Sequence, residues 1–240
     1  MKYFRIGLFL LVCMCSCHTS TDLKYKIIIP NEEGIEKYPV VFFLHGLSGT
    51  FNQFIPYVKN EIKGAVLVFP QAPFPEAGKG NSWSKMSFGN NEYTENLEQS
   101  EFSRQKLNEL IQHIILNYPC DSNNIFICGI SQGAMMTLRV GLNPPYFAKG
   151  LICINGRLPL KMLRDSIPND VKKKLNIYVV NGINDSIFPV LSVVKLVQEL
   201  KLNGLTVESH ESGVGHAFHK EVITKLKPWL ASKMKKKVEN

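Results

Sequence analysis

The chain has 240 residues, enough to bury a sizeable core as a single domain. Hydrophobic residues make up 45% and charged residues 20%, an ordinary globular balance that excludes a disordered or fibrous chain. The net charge of +8 comes without a basic stripe interleaved with aromatics, so no nucleic-acid surface is expected; much of it sits in Lys172-Lys173-Lys174 and in Lys233 with Lys235-Lys236-Lys237.

The first residues read as a targeting segment. Lys2 and Arg5 give a positive start, Ile6 to Val12 is an apolar run, and cysteines and a serine follow. That is the layout of a secretory signal peptide, with a run too short to span a bilayer comfortably; a short core strand or helix is the alternative. Met14-Cys15-Ser16-Cys17 resembles a bacterial lipoprotein processing site, a small residue preceding the acylated cysteine, with Met14 where Leu is usual. The expectation is a signal peptide over 1–16, a lipid on Cys17 and an exported protein anchored in the bacterial cell envelope. Residues 17–37 then form a tether and early strand, 38–232 the folded domain and 233–240 a basic tail. Its lysines either lie against anionic headgroups or are simply solvated. Beyond Cys17 there are Cys120, Cys128 and Cys153, an odd count that argues against a disulfide framework. No Cys/His spacing fits a metal site, and no cofactor is implied.

Along the chain, apolar runs alternate with amphipathic stretches, which predicts βαβ units and a mostly parallel sheet. Leu23–Ile29 reads as an early strand. Val40–Leu44, Ala65–Phe69, Ile125–Cys128, Leu151–Ile154 and Ile177–Val180 are continuous apolar runs, as in strands buried on both faces. Leu205–Ser209 alternates, which suits a sheet edge. Leu107, Leu110, Ile111 and Ile114 share one helical face, and Pro119 stops that helix. Further helices are expected at Ala134–Leu142, around Val193–Leu200, and at Glu221–Leu230, the last bent or interrupted near Pro228. Pro70–Asn91 is long and rich in Pro, Gly, Asn and Ser. Its Trp83, Met86 and Phe88 either face substrate or pin the loop to the core.

Gly129-Ile130-Ser131-Gln132-Gly133 fits G-x-S-x-G between a strand and a helix-forming run, the setting of a nucleophile elbow. The chain must reverse so tightly that only glycine fits on either side of the serine. The turn exposes the Ser131 hydroxyl and places the Gln132 N–H at a helix N-terminus, where it can stabilise an oxyanion. A second donor is assigned to the Leu47 N–H, in the loop His45-Gly46-Leu47-Ser48-Gly49 after the strand Val40–Leu44. His45, at a strand end, reads as a structural histidine. A serine needs a base, and the base an orienting acid, downstream in the order Ser, Asp, His. His216, on the glycine-rich loop after the last strand, has the expected placement; His219 is the fallback. Asp185, in the loop after Ile177–Val180, is the candidate acid, although turns favour Asp in any case.

These pieces together resemble the phospholipase/carboxylesterase family of α/β hydrolases, which includes acyl-protein thioesterases. The likeness runs from about Tyr38 to Leu230. It is carried by His45 to Gly49, Pro70-Gln71-Ala72-Pro73, Ser82-Trp83, Gly129 to Ala134, Asn155-Gly156-Arg157-Leu158-Pro159, Asn181 to Pro189 and Gly215-His216. The resemblance implies an α/β-hydrolase fold, a triad of Ser131, Asp185 and His216, oxyanion donors at Leu47 and Gln132, and hydrolysis of small-molecule carboxylic esters. The chain departs from the family at Gln71 and Asn181, where His is frequent, and at Trp83-Ser84-Lys85 in place of Trp-Phe-Asp. With Trp83, Met86 and Phe88 on the Pro70–Asn91 loop and no cationic pair standing out there, the expected substrate is an uncharged ester of short to medium acyl chain. A serine peptidase on the same fold, or a catalytically silent surface lipoprotein, are the competing functions.

Overall fold

The computed structural model describes residues 23–77, 79–89, 92–158 and 167–234. Cys17, the segment 1–16 and Lys235-Lys236-Lys237 lie outside the described residues. The elements in chain order are β1 (Tyr25–Ile28), β2 (Tyr38–Leu44), α1 (Ile55–Val58), β3 (Val66–Pro70), β4 (Phe74–Pro75), β5 (Asn81–Ser82), β6 (Met86–Gly89) and β7 (Glu92–Glu95). There follow α2 (Leu97–Asn117), β8 (Cys120–Ile130), α3 (Gln132–Gly141), β9 (Gly150–Ile154), α4 (Asn169–Lys174), β10 (Asn176–Gly182), α5 (Val190–Leu202), β11 (Thr206–Ser212) and α6 (Lys220–Met234).

Seven strands form one sheet in the order β1-β3-β2-β8-β9-β10-β11. Only the edge pair β1–β3 is antiparallel. Parallel neighbours require crossovers, and the crossovers cover both faces. Alternation along β2 shows the division: Val40, Phe42 and Leu44 face one core, with residues of α2, α3 and α5. Val41 and Phe43 face the other, with Val58 of α1 and Leu226, Trp229 and Leu230 of α6. This is why β2 and β3 are apolar throughout and the edge strand β11 is not.

Three elements run further than the apolar pattern. Helix α2 begins ten residues before Leu107, capped by the Asn96 side chain, which accepts from the Gln99 N–H at 3.0 Å. Strand β8 takes in Asp121 to Asn124 before its apolar half. Helix α6, expected to bend or break near Pro228, is not broken there and continues to Met234, with Trp229 and Leu230 buried beyond the proline.

Pro70–Asn91 is not a bare loop. It carries the two-stranded ribbon β4–β5, and β6 pairs with β7 in a second ribbon. That second ribbon is fastened to α3 by a buried ion pair, Arg139 Nη2 to Glu95 Oε2 at 2.6 Å, while Glu95 Oε1 accepts from the Ser84 hydroxyl at 2.8 Å. Removing one member of such a pair strands a buried charge. Glu95→Ala should therefore lower unfolding free energy by about 3–5 kcal/mol, read from denaturant midpoints. The paired change Glu95→Leu with Arg139→Met should cost clearly less than the sum of the single changes.

Candidate active site

The loops at the carboxyl ends of the parallel strands β2, β8, β10 and β11 carry Leu47, Ser131, Asp185 and His216. Ser131 follows β8 directly with φ +55° and ψ −121°, backbone values that cost a side chain of order 1–3 kcal/mol and persist only when the surroundings hold them. The surroundings are glycine backbone. A Cβ at Gly133 would stand 2.1 Å from the Leu44 carbonyl oxygen, and one at Gly129 would stand 2.2 Å from the Gly133 carbonyl oxygen. The elbow is thus wedged against the end of β2. The Ser131 N–H donates to the Ile154 carbonyl at 2.9 Å, which ties it to the end of β9 as well.

Asp185 lies in the loop after β10, buried. Its Oδ1 accepts from the Ile187 and Phe188 N–H groups, each at 2.8 Å. Its Oδ2 faces His216 Nδ1 at 2.8 Å. The acid therefore has one oxygen held by backbone and the other aimed at the imidazole. With a carboxylate oxygen against Nδ1, that nitrogen carries the proton and Nε2 is left as the basic one. The imidazole makes no hydrogen bond to Ser131 among the described residues. Phe188 packs beside the ring, centroids 5.6 Å apart.

Asn155, named in the family resemblance but given no role there, joins these loops. It follows β9 at φ +48° and is buried. Its Oδ1 accepts from the Gly182 N–H at 2.8 Å, and its Nδ2 donates to the carbonyls of Gly215 and Ala217 at 3.1 and 3.3 Å. One amide thereby spans the acid loop and both neighbours of His216. An Asn immediately before Gly at a strand end was the available signal.

The profile of the Phospholipase/Carboxylesterase family matches residues 25–234. The chain belongs to this family. Among relatives, acyl-protein thioesterase 1 of Debaryomyces hansenii is 28% identical over 213 residues, covering 82% of this chain and 91% of the relative. Carboxylesterase SOBER1 of Arabidopsis thaliana is 25% identical over 207 residues, covering 81% and 90%. The crystal structure of SOBER1 superposes with a TM-score of 0.69 at 23% identity, over 82% of this chain and 99% of that one. The Bacillus cereus carboxylesterase structure gives 0.74 at 20% identity, over 88% and 94%. The fold is that of the α/β hydrolases, and this family member is a carboxylic-ester hydrolase.

Of the other predicted site residues, Leu47 and Gln132 border the elbow. A Cβ at Gly46, next to Leu47, would lie 3.4 Å from the Ser131 Cβ. Gln132 is the first residue of α3. Trp83 does not face substrate. It is fully buried, its indole donates to the His45 carbonyl at 2.8 Å, and its N–H donates to Gln132 Oε1 at 2.9 Å. The reason is the indole N–H, which needs a buried acceptor and finds one on the strand end. Met86 is half-buried and packs against the core rather than standing free in a pocket. Phe88 pairs with Tyr93 across the β6–β7 ribbon; its side chain is outside the described residues. His219 stands just before α6, where its carbonyl accepts from the Val222 N–H at 3.0 Å.

His45 is fully buried and locked. Its Nε2 accepts the Ala72 N–H at 3.0 Å and faces the Gln71 amide nitrogen at 3.1 Å, so Nδ1 carries the proton toward the Gly46 carbonyl at 2.8 Å. Gln71 Nε2 also donates to the Gly49 carbonyl at 3.2 Å, which holds the far side of the same loop. Desolvation pushes the His45 imidazole down from 6.5 to about 4, against a smaller upward pull from the Gly46 carbonyl. Above the unfolded-state value both states are neutral and stability is complete. As pH falls from 6.5 toward about 4 the unfolded chain gains a proton that the folded one refuses, so stability is lost across that window. The loss should be about 3 kcal/mol. Unfolding midpoints measured from pH 7.5 down to 4 should show this slope, and His45→Asn should be less stable at pH 7.5 but flatter across the window.

Proposed function

We propose that this hydrolase cleaves carboxylic esters through an acyl-enzyme on Ser131, with His216 as base, Asp185 orienting it, and the N–H groups of Leu47 and Gln132 stabilising the oxyanion. The observation that carries the reading is the 2.8 Å contact between Asp185 Oδ2 and His216 Nδ1, on loops fastened beside a serine in a strained elbow. His216 Nε2 takes the Ser131 proton as Oγ attacks the carbonyl. The two N–H groups receive the negative oxygen. The protonated imidazole then gives its proton to the leaving alcohol. Water repeats the sequence to release the acid. Asp185, fixed by two backbone donors, keeps the imidazole in one tautomer and favours its cationic form during transfer. The names of the relatives, a carboxylesterase and a thioesterase, fit an oxygen or sulfur leaving group.

Ser131→Ala and His216→Ala should each lower ester turnover by roughly 10⁴ or more, and Asp185→Asn by roughly 10³ to 10⁴. His219→Ala should be mild. A severe loss at His219 together with a mild one at His216 would overturn the base assignment. Turnover of peptide amides rivalling that of the best ester would overturn the esterase reading. Failure of a fluorophosphonate to label wild type would overturn the nucleophile.

The proposal extends to placement: a signal peptide over 1–16 and lipid on Cys17 would hold the enzyme at the bacterial cell envelope, so that it meets exported or membrane-borne esters. Mass spectrometry of the membrane fraction should show a lipid-modified peptide beginning at Cys17. An unmodified peptide spanning Ser16 and Cys17 from the natural host would sink it.

A further inference from the structure

Arg157 lies in the loop after β9, two residues beyond the Asn155 that ties the acid and histidine loops. Two separate contacts place it at the rim of the site. Its neighbour Gly156 sits so close to the elbow that a Cβ there would be 2.9 Å from the Ser131 carbonyl oxygen and 2.4 Å from the Ala134 Cβ. The guanidinium itself lies over the Tyr93 ring, 5.3 Å from its centroid, and the Tyr93 hydroxyl donates to the Arg157 carbonyl at 3.2 Å. From Tyr93 the ring contacts run inward, edge-on to Phe188 at 6.3 Å and from Phe188 to His216 at 5.6 Å. The residue before Arg157 thus adjoins the elbow, and the Arg157 guanidinium adjoins the aromatic pair beside the base.

Among the described residues that charge has no carboxylate counter-ion. Of the three arginines among the described residues, Arg104 is paired with Glu101 and Arg139 with Glu95, while Arg157 pairs with no carboxylate. It is also half-buried, where an unanswered cation is costlier than on an open surface. A guanidinium held over an aromatic ring still presents its N–H donors as a planar fork, which matches two oxygens of a carboxylate or a phosphate. The uncharged ester expected from the sequence followed from the Pro70–Asn91 loop alone, and this cation lies outside that loop.

We infer that Arg157 is the anion-recognition element of substrate binding, and that the preferred ester carries a carboxylate or phosphate a few atoms from its scissile carbonyl. On the acyl side this describes the half-ester of a dicarboxylic acid; on the alcohol side, an ester of a phosphorylated polyol. The inference rests on the proposed role of Ser131, since it places the anion relative to that nucleophile.

The test uses two matched pairs of esters with the full-length chain. Monophenyl glutarate against phenyl valerate puts the charge on the acyl side. 1-Butyrylglycerol 3-phosphate against 1-butyrylglycerol puts it on the alcohol side. The wild type should favour the anionic member of at least one pair by roughly tenfold to a hundredfold in kcat/KM, the worth of one charge-assisted hydrogen bond. The pair that shows the preference identifies the source of the anion. Arg157→Gln should erase the preference mainly through KM and leave the neutral ester within about twofold, and Arg157→Lys should restore part of it. Raising ionic strength should shrink the wild-type preference. Equal use of both members in both pairs would overturn the inference. So would an Arg157→Gln variant that loses charged and neutral turnover in parallel, which would mark the side chain as a prop for Tyr93. Ser131→Ala is the separate control: turnover surviving it would overturn the nucleophile assignment, whatever the charge preference.

Discussion

The constraint on which the rest of the structure depends is the contact between the backbone of the elbow and the end of β2. With 2.1 Å between a notional Cβ at residue 133 and the Leu44 carbonyl oxygen, α3 can start only where glycine lets it approach. That approach fixes three things at once. It forces Ser131 into its positive-φ conformation. It brings the loop beginning at His45 against the serine. It also sets the N-terminus of α3, with its unpaired N–H groups, toward the same space. The strain at Ser131 is held by a parallel sheet buried on both faces, whose core outweighs a few kcal/mol of local cost.

The loops around that point are held by polar groups that satisfy one another. Gln132, fully buried, accepts from the Trp83 N–H and donates to the Ser84 carbonyl at 2.7 Å. Trp83 in turn donates to His45, and His45 receives Ala72 and faces Gln71. A network of this kind leaves any single member costly to remove, because its partners remain buried and unanswered. The consequence for chemistry is preorganisation: the candidate oxyanion donors are placed during folding and need no rearrangement when charge develops.

Much of this was legible in the chain itself. Strands buried on both faces declare themselves as unbroken apolar runs, and each such run coincides with an observed strand, Ala65 alone falling one residue ahead of β3. Ser131, Asp185 and His216 were readable because glycine-rich strand ends narrow the choice, and the structure brings Asp185 and His216 into contact. What could not be read depends on partners distant in sequence. The ribbons inside Pro70–Asn91 form against segments such as Gly49, which bridges to Asn81. The start of α2 is polar, so periodicity missed it and only the Asn96 cap marked it. Trp83 in a polar loop could face either way until its indole found the His45 carbonyl. Asn155 carries no catalytic signature, since its role lies in three backbone groups more than twenty-five residues away.

Asn155 and Arg157 show how one short loop divides its labour. At Asn155 every polar atom is answered from within the protein, and the result is rigidity: the loops bearing Asp185 and His216 cannot drift apart without breaking bonds to a buried amide. Two residues later the side chain is a cation that lies over the Tyr93 ring and that no carboxylate among the described residues answers. Both cannot be explained by folding alone, because a protein that satisfies a buried amide three times over has the means to satisfy an arginine. Glu95 and Glu101 do so for the other two arginines among the described residues. A charge that no described carboxylate answers, beside a fully answered frame, is the arrangement expected where the partner arrives from solution, since only a rigid frame holds the cation at a fixed distance from Ser131.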